Sequence, residues 1–260
     1  MILPACAGSD SPESTDVAGA GRDQARVDDE PAFVLHSYPY SETSLLIDVY
    51  TAHHGRLPLL ARGARRPRAA LRGVLQAFQP LVIGWSGRGE VRTLQRAEWM
   101  GGLPRPAGRA LWCGFYLNEL LMRLVPRDDP HEALFADYAQ ALSRVCLGAE
   151  PEPVLRLFEK RLLSSLGYGL VLDIEADTRE PVDDETPYTY EADRGPVRAR
   201  ETGTAQAVFS GAALRAIAAE QFGDRLVLAQ AKNLMRHVIA HRLDQKPLRV
   251  TQVWRDLLEL

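Results

Sequence analysis

SLLIDVYTAHHGRLPLLARG occupies residues 44–63. Leu45, Ile47 and Val49 recur at a period of two, which puts them on one face of a half-buried strand. His53-His54-Gly55 reads as a tight turn, and 56–63 as the strand that returns from it. The flanks repeat the texture. AFVLHSY (32–38) precedes it, and FQPLVIGW (78–85) and EVRTLQRAEW (90–99) follow, the last two joined by the glycine-rich turn SGRG (86–89). Pro58 and Pro80 point to edge positions or bulges, because proline cannot donate to a ladder. Five short strands need closure to protect their edges, and an SH3-like or five-stranded OB barrel is the economical solution. The longest interruption, 63–76, falls between the third and fourth strands, where an OB barrel often carries a connecting helix. Pro67 and two glycines limit that helix to about 69–76.

Beyond GGLPRPAG (101–108) the texture turns helical. Residues 110–125 are apolar almost all round, which predicts a buried helix ended by Pro126. Further helices are expected over 131–148, 151–169, 209–222, 224–243 and 248–260. Gly148 and Gly167 serve as stops, proline opens the first turn at 151, and Ser210 is a good N-cap. The expected class is α+β: a tail over 1–30, the barrel over 31–103 and a helical domain over 104–260. Residues 170–208 read as an irregular acidic segment within that last domain.

The chain has 260 residues, 46% hydrophobic and 25% charged, an ordinary composition for a soluble globular protein. No apolar run approaches a membrane span. MILPACAGSD lacks the basic and apolar regions of a signal peptide. Residues 1–30, poor in large apolar groups, are expected to stay disordered. Cys6, Cys113 and Cys146 have no CxxC spacing, which argues against a disulfide framework or a cysteine zinc site and for a reducing, cytoplasmic setting.

Charge is segregated. Net charge is −3, yet no acid occurs between Asp48 and Glu90. That window holds Arg56, Arg62, Arg65, Arg66, Arg68, Arg72 and Arg88. ARGARRPRAALRG (61–73) alone carries five of them, and five neighbouring guanidinium groups need an external anion. Phosphate fits, because the planar fork binds it bidentately. Arg88 and Arg92 extend the same track. If the five engage a single strand, affinity falls by roughly 100-fold between 50 and 200 mM salt. Tyr38, Tyr40 and Trp85 are possible stacking residues, with packing the commoner role for each.

Other features carry less. GWSGRGE lacks the GK[ST] ending of a phosphate loop and reads as a hairpin turn. His237 and His241 share a helix face, a spacing that can bind metal, but without an HExxH acid and beside Lys232, Arg236 and Arg242. Asp183-Asp184-Glu185 reads as a solvated loop. Arg156, Lys160 and Arg161 lie near Leu155, Leu157 and Phe158 on one helix. That is either an ordinary amphipathic helix or a pocket for an acidic, apolar peptide terminus. Nothing points to catalysis, to a cofactor or to a metal.

FVLHSYPYSETSLLIDVYT, GRLPLLARGARRPRAALRGVLQAFQPL, GRGEVRTLQRAE, YLNELLMRL, PEPVLRLFEKRLLSSLGYG, EPVDDE and FSGAAL together resemble the RecO family of bacterial recombination mediators, over about 32–260. The resemblance implies an N-terminal OB fold and a helical remainder. It also implies binding to single- and double-stranded DNA, annealing of complementary strands, and loading of the RecA recombinase with the partner RecR. It further implies a nucleoid-associated, cytoplasmic setting and contact with the acidic C-terminal tail of single-stranded DNA-binding protein. In the family the arginine of the PEPxLRxFE helix, here Arg156, helps to hold that tail; Phe158 and Lys160 accompany it as candidates. Many relatives carry four cysteines after the LGYG segment and bind zinc. Residues 169–208 contain none, so no zinc is expected.

The expectation is a non-enzymatic DNA-binding protein with Arg62, Arg65, Arg66, Arg68, Arg72, Arg88 and Arg92 on the strand. The rivals are an OB module for RNA, a metal-dependent nuclease built on His237, His241, Asp183 and Asp184, and a scaffold whose arginines meet an acidic protein.

Overall fold

The computed structural model describes residues 26–199 and 207–258. Five strands close a barrel in the order β1-β2-β3-β5-β4: β1 Arg26–Pro39, β2 Leu45–Thr51, β3 Gly55–Ala61, β4 Pro80–Ser86 and β5 Arg92–Trp99. Consecutive strands run antiparallel except where β3 meets β5. There Leu59 and Leu60 pair in parallel with Arg92 and Thr93 and shut the cylinder. This is the expected OB barrel, filled by Val34, Ile47, Val49, Leu57, Leu59, Leu81, Ile83 and Trp85. The connecting helix, α1, spans Ala70–Val74, shorter than 69–76. Leu71 and Val74 lean on the barrel core and Leu75 is buried in it.

One expectation is corrected at the start. Residues 26–30 are strand, not tail. Arg26 and Val27 pair with Ser86 and Trp85, and after a bulge Glu30 pairs with Ile83. Their polar side chains hid a ladder that β4 completes through the backbone. The rest of the expected tail, 1–25 with Cys6, lies outside the described residues.

The helical part comprises α2 Arg109–Leu124, α3 Glu132–Cys146, α4 Pro151–Ser165, α5 Gly211–Ala218, α6 Arg225–Arg242 and α7 Arg249–Leu258. Local chemistry sets their ends. Asp224 accepts from the N–H groups of Leu226 and Val227, and Ser210 from that of Ala213. Gly148 and Gly167 adopt positive φ after α3 and α4, and the next residue's N–H returns to Arg144 and Leu163 respectively. Of the segment expected to be irregular, 170–208, the described residues 170–199 and 207–208 are not simply so. β6 Pro187–Glu191, β7 Gly195–Arg198 and β8 Phe209–Ser210 form a three-stranded sheet in the order β7-β6-β8. Tyr188 and Phe209 feed its apolar face into the helical core, and Tyr190 reaches the same core with its hydroxyl pushed up to about 12 by burial. The scattered acids masked that alternation.

The two parts share a core. Phe33, Leu35, Tyr50 and Phe78 turn outward from the barrel and pack among the helices. A Cβ on Gly114 of α2 would sit 2.8 Å from the Phe78 ring, so glycine makes room for it. Buried Asn118 donates to the Leu35 carbonyl at 2.9 Å and accepts from the Tyr138 hydroxyl at 2.7 Å. That chain satisfies a barrel carbonyl which no strand reaches. Among the described residues no helix is long and apolar enough to cross a membrane.

Candidate nucleic-acid interface and partner groove

The arginine loop leaves the end of β3 and is pinned to the barrel. Ala64 is buried, and the Arg65 N–H donates to Thr43 O at 2.9 Å in the β1–β2 loop. The Arg65 guanidinium donates to Ser41 O at 2.5 Å. The Arg66 N–H closes a turn onto Gly63 O, where φ is +71°. Short backbone bonds therefore hold the ring of cations at one end of the barrel. Arg62, Arg65, Arg66, Arg68 and Arg72 are all exposed. Among the described residues no carboxylate pairs with Arg62, Arg66, Arg68 or Arg72. Crowded like charges without counter-ions make a strong local positive field.

Of the β4–β5 arginines, Arg92 is engaged elsewhere. Arg88 is exposed on the connecting loop. Arg92 lies beside Leu59 and is spent on Asp128 of the α2–α3 corner, 2.5 Å away. Arg92 is thus engaged at the seam between barrel and helices. Arg56 is also engaged: its Nε donates to Val125 O at 3.1 Å and its Nη1 sits 3.7 Å from buried Asp48. The acid-free window is acid-free only along the chain. Of the aromatic candidates, Trp85 is buried in the barrel core, which removes it from stacking, whereas Tyr38 and Tyr40 are exposed.

A second feature is a groove of about 670 Å³ among α2, α4, α6 and the segment leading into α7. Leu155, Leu228, Ile239 and Leu248 supply apolar lining; Arg109, Arg156, Lys232, Arg236 and Lys246 supply cations. Arg156 does line it. Its Nη2 donates to Glu159 Oε1 at 2.5 Å, and the Tyr116 hydroxyl donates to the same oxygen at 2.6 Å. Glu159 is fully buried, and burial raises its pKa even though Arg156 and Tyr116 oppose that. Arg156 Nε and Glu159 Oε2 have no hydrogen-bond partner among the described residues.

Phe158 and Lys160 do not line the groove. Phe158 packs against Tyr138 in the core. Lys160 turns to Ala218 O at 2.8 Å and Glu220 at 3.2 Å, beside Arg161, which bridges Asp137 and Glu220. Glu152 occupies Lys232 and Arg109, which leaves Arg236 and Lys246 without ion pairs among the described residues. The spacing Leu228, Lys232, Arg236 on α6 makes that wall; in the sequence Lys232 and Arg236 show as a basic face, without the groove they line.

The residues of the nuclease rival have other occupations. His241 pairs with Asp193 at 3.1 Å, and Asp184 with Arg215 at 3.2 Å. Asp183 Oδ1 accepts from the Glu185 and Thr186 N–H groups in its own turn. His237 is exposed on α6. Among the described residues no group of three His, Cys, Asp or Glu side chains stands together to hold a metal ion. Cys113 and Cys146 are free thiols.

Comparison with known proteins agrees with this architecture. The family described as Recombination protein O N terminal matches residues 28–103, and Recombination protein O C terminal matches 105–251. The chain is 50% identical over 242 residues to the DNA repair protein RecO of Dechloromonas aromatica (strain RCB), covering 91% of this chain and 99% of the relative. It is 50% identical over 235 residues to that of Aromatoleum aromaticum, covering 90% and 98%. To that of Nitrosospira multiformis it is 45% identical over 240 residues, covering 92% and 99%. An OB barrel fused to a helical domain, matched over almost its whole length by such relatives, places the chain in the RecO family of DNA repair proteins.

Proposed function

We propose that the chain is a non-enzymatic, ATP-independent protein that anneals complementary DNA strands and, with RecR, helps to load RecA in recombinational repair. One observation carries the reading: Arg62, Arg66, Arg68 and Arg72 stand exposed on an OB barrel end with no ion-pairing carboxylate among the described residues. Phosphate neutralisation there lowers the repulsion between two backbones, while the bases stay free to pair. It also explains how an acidic chain binds an acidic polymer, since the field that matters is local.

The groove supports the second half of the reading, capture of the acidic C-terminal tail of single-stranded DNA-binding protein. Arg236 and Lys246 have charge to offer a carboxylate, and Leu155, Leu228 and Ile239 offer an apolar slot. Arg156, already held by Glu159, acts as the floor. The cellular setting that follows is the bacterial cytoplasm, at the nucleoid.

The test is strand annealing by the variant Arg62→Glu/Arg66→Glu/Arg68→Glu. The expected result is a folded protein that has lost annealing, with a shallower salt dependence of binding. Normal annealing by that folded variant overturns the assignment. Competition between single-stranded DNA and RNA decides the RNA rival, and a tail-derived peptide titrated against Lys246→Glu tests the groove.

A further inference from the structure

In an OB barrel nucleic acid lies on the outward face of the second and third strands. Half of that face is closed here. Tyr50 and Asp48 are buried under the α2–α3 corner, Tyr50 against Phe135 and Tyr138, and Arg56 is tied to Val125. The other half stays open. Tyr38 of β1 stands opposite Leu46 of β2, and Leu46 opposite Leu60 of β3. Tyr38 is 41% exposed, and its ring meets that of His36 edge-on at 4.2 Å.

The helical domain brings cations to the border of this open half. Arg127 stands by Asp48, and Asp48 lies opposite His36, two residues before Tyr38 on β1. Burial and then the charge of Asp48 push the Tyr38 phenol up, and the charges of Arg249, Arg127 and Arg56 oppose them. Arg127 has a half-exposed side chain, with only a long 3.9 Å contact to Asp48. Arg249 is exposed, and its side chain has no ion pair among the described residues. Its backbone N–H is fixed on Glu119 Oε1 at 2.8 Å, where Glu119 caps the start of α7. An exposed ring beside two available guanidinium groups is the composition that single-stranded nucleic acid selects.

We propose that Tyr38 is a base-stacking platform of a second subsite, at the junction of barrel and helices, where Arg127 and Arg249 hold the phosphates that flank the stacked base. The proposal rests on the nucleic-acid reading above and adds a place that the arginine loop alone does not define. From strand spacing and rise, Tyr38 lies roughly 12 Å from Arg62. A single strand bound by the loop therefore continues over Leu60 and Leu46 to Tyr38 and on to α7. Stacking needs unpaired bases, so the subsite discriminates single strands from duplex.

The test uses the full chain with a fluorescent oligothymidylate and, separately, one carrying 5-iodouracil for photo-cross-linking. Tyr38→Ala is expected to weaken single-strand binding about tenfold, the usual size of one base–aromatic stack. Tyr38→Phe restores the affinity. Arg127→Ala and Arg249→Ala each reduce the salt slope by about 0.7. A cross-linked peptide containing Tyr38 supports the platform, as does a loss on Tyr38→Ala confined to single strands and spared in duplex. Equal loss on both substrates overturns it. So does unchanged single-strand affinity in Tyr38→Ala when Arg62→Glu/Arg66→Glu/Arg68→Glu has lost binding. A wild-type chain that binds no DNA at low salt overturns the parent reading first, which separates the two failures.

Discussion

Arg92 of β5 and Asp128 of the α2–α3 corner meet at 2.5 Å across the seam between barrel and helices. The contact sits where Asp128 also donates its backbone N–H to Arg56 O at the start of β3. A basic residue expected on the nucleic acid is therefore part of the joint. Arg92→Ala should change single-strand affinity by less than twofold. It should lower unfolding stability by about 1 kcal/mol, because Asp128 remains partly solvated and the pair is only half desolvated. Denaturant titration beside a binding curve checks both, and a tenfold loss of binding without loss of stability would return Arg92 to the interface.

The same seam predicts an intolerant glycine. Gly55 has φ +67°, and a Cβ placed on it would lie 2.2 Å from Asp129 O. Both the left-handed backbone and the close approach of the α2–α3 corner require glycine. Gly55→Ala should lower stability by roughly 2–4 kcal/mol and loosen the corner. Hydrogen exchange should rise at the Asp128 N–H while the β1–β4 ladder keeps its protection. A variant within 0.5 kcal/mol of wild type, about the scatter of a surface change, would show that the corner is not packed as described.

In the groove, Arg156 and Glu159 form a buried pair, so removing one partner strands the other. Arg156→Ala should destabilise by about 3 kcal/mol, and adding Glu159→Gln should recover much of that. The pH sign follows from the Glu159 carboxyl, which burial raises above its ordinary 4.5. The folded state holds that proton more tightly than the unfolded one, so stability falls as pH rises from 4.5 through the raised value. Arg156→Ala raises it further and should lose more stability at pH 8 than at pH 5. Glu159→Gln should flatten the dependence. Peptide binding by Arg156→Ala alone therefore confuses folding with recognition, and exposed Lys246 is the cleaner probe of tail capture.

Much of this fold was legible because its signals are local. Alternation of Ile47 and Val49, the turn at Gly55, the interruption around Pro67 and the cap at Ser210 each depend on a few neighbours in sequence. What failed to show depends on partners far along the chain. Residues 26–30 look like tail until β4 is there to pair with them. Phe33, Tyr50 and Phe78 look like barrel residues until α2 and α3 cover them. The site divides the same way. A cluster within thirteen residues, 61–73, is visible as a run of arginines. Arg127 and Arg249 come beside Tyr38 only through the docking of α2, α3 and α7, and no spacing announces it. Periodicity also could not tell that Lys160 leans to Glu220 while Arg156 faces the groove.

At the opposite end of the barrel, Glu30 is 5% exposed and clamps the β2–β3 turn. Its Oε1 accepts from the His53 N–H at 2.7 Å and its Oε2 meets His53 Nδ1 at 3.0 Å, with His54 Nδ1 at 3.5 Å. The hydrogen bond to Glu30 raises the His53 pKa above 6.5. A raised folded value means that the charged imidazole stabilises the fold. That contribution is complete below 6.5 and is lost as pH rises through the raised value. Melting temperature should therefore decline across the neutral range by an amount that His53→Ala abolishes. Glu30→Gln should abolish it too and should also weaken the turn, since the backbone bond to His53 loses its charged acceptor. Titration of the His53 ring by NMR gives the direct check. A midpoint at or below 6.5 would show that the clamp does not bind the protonated ring.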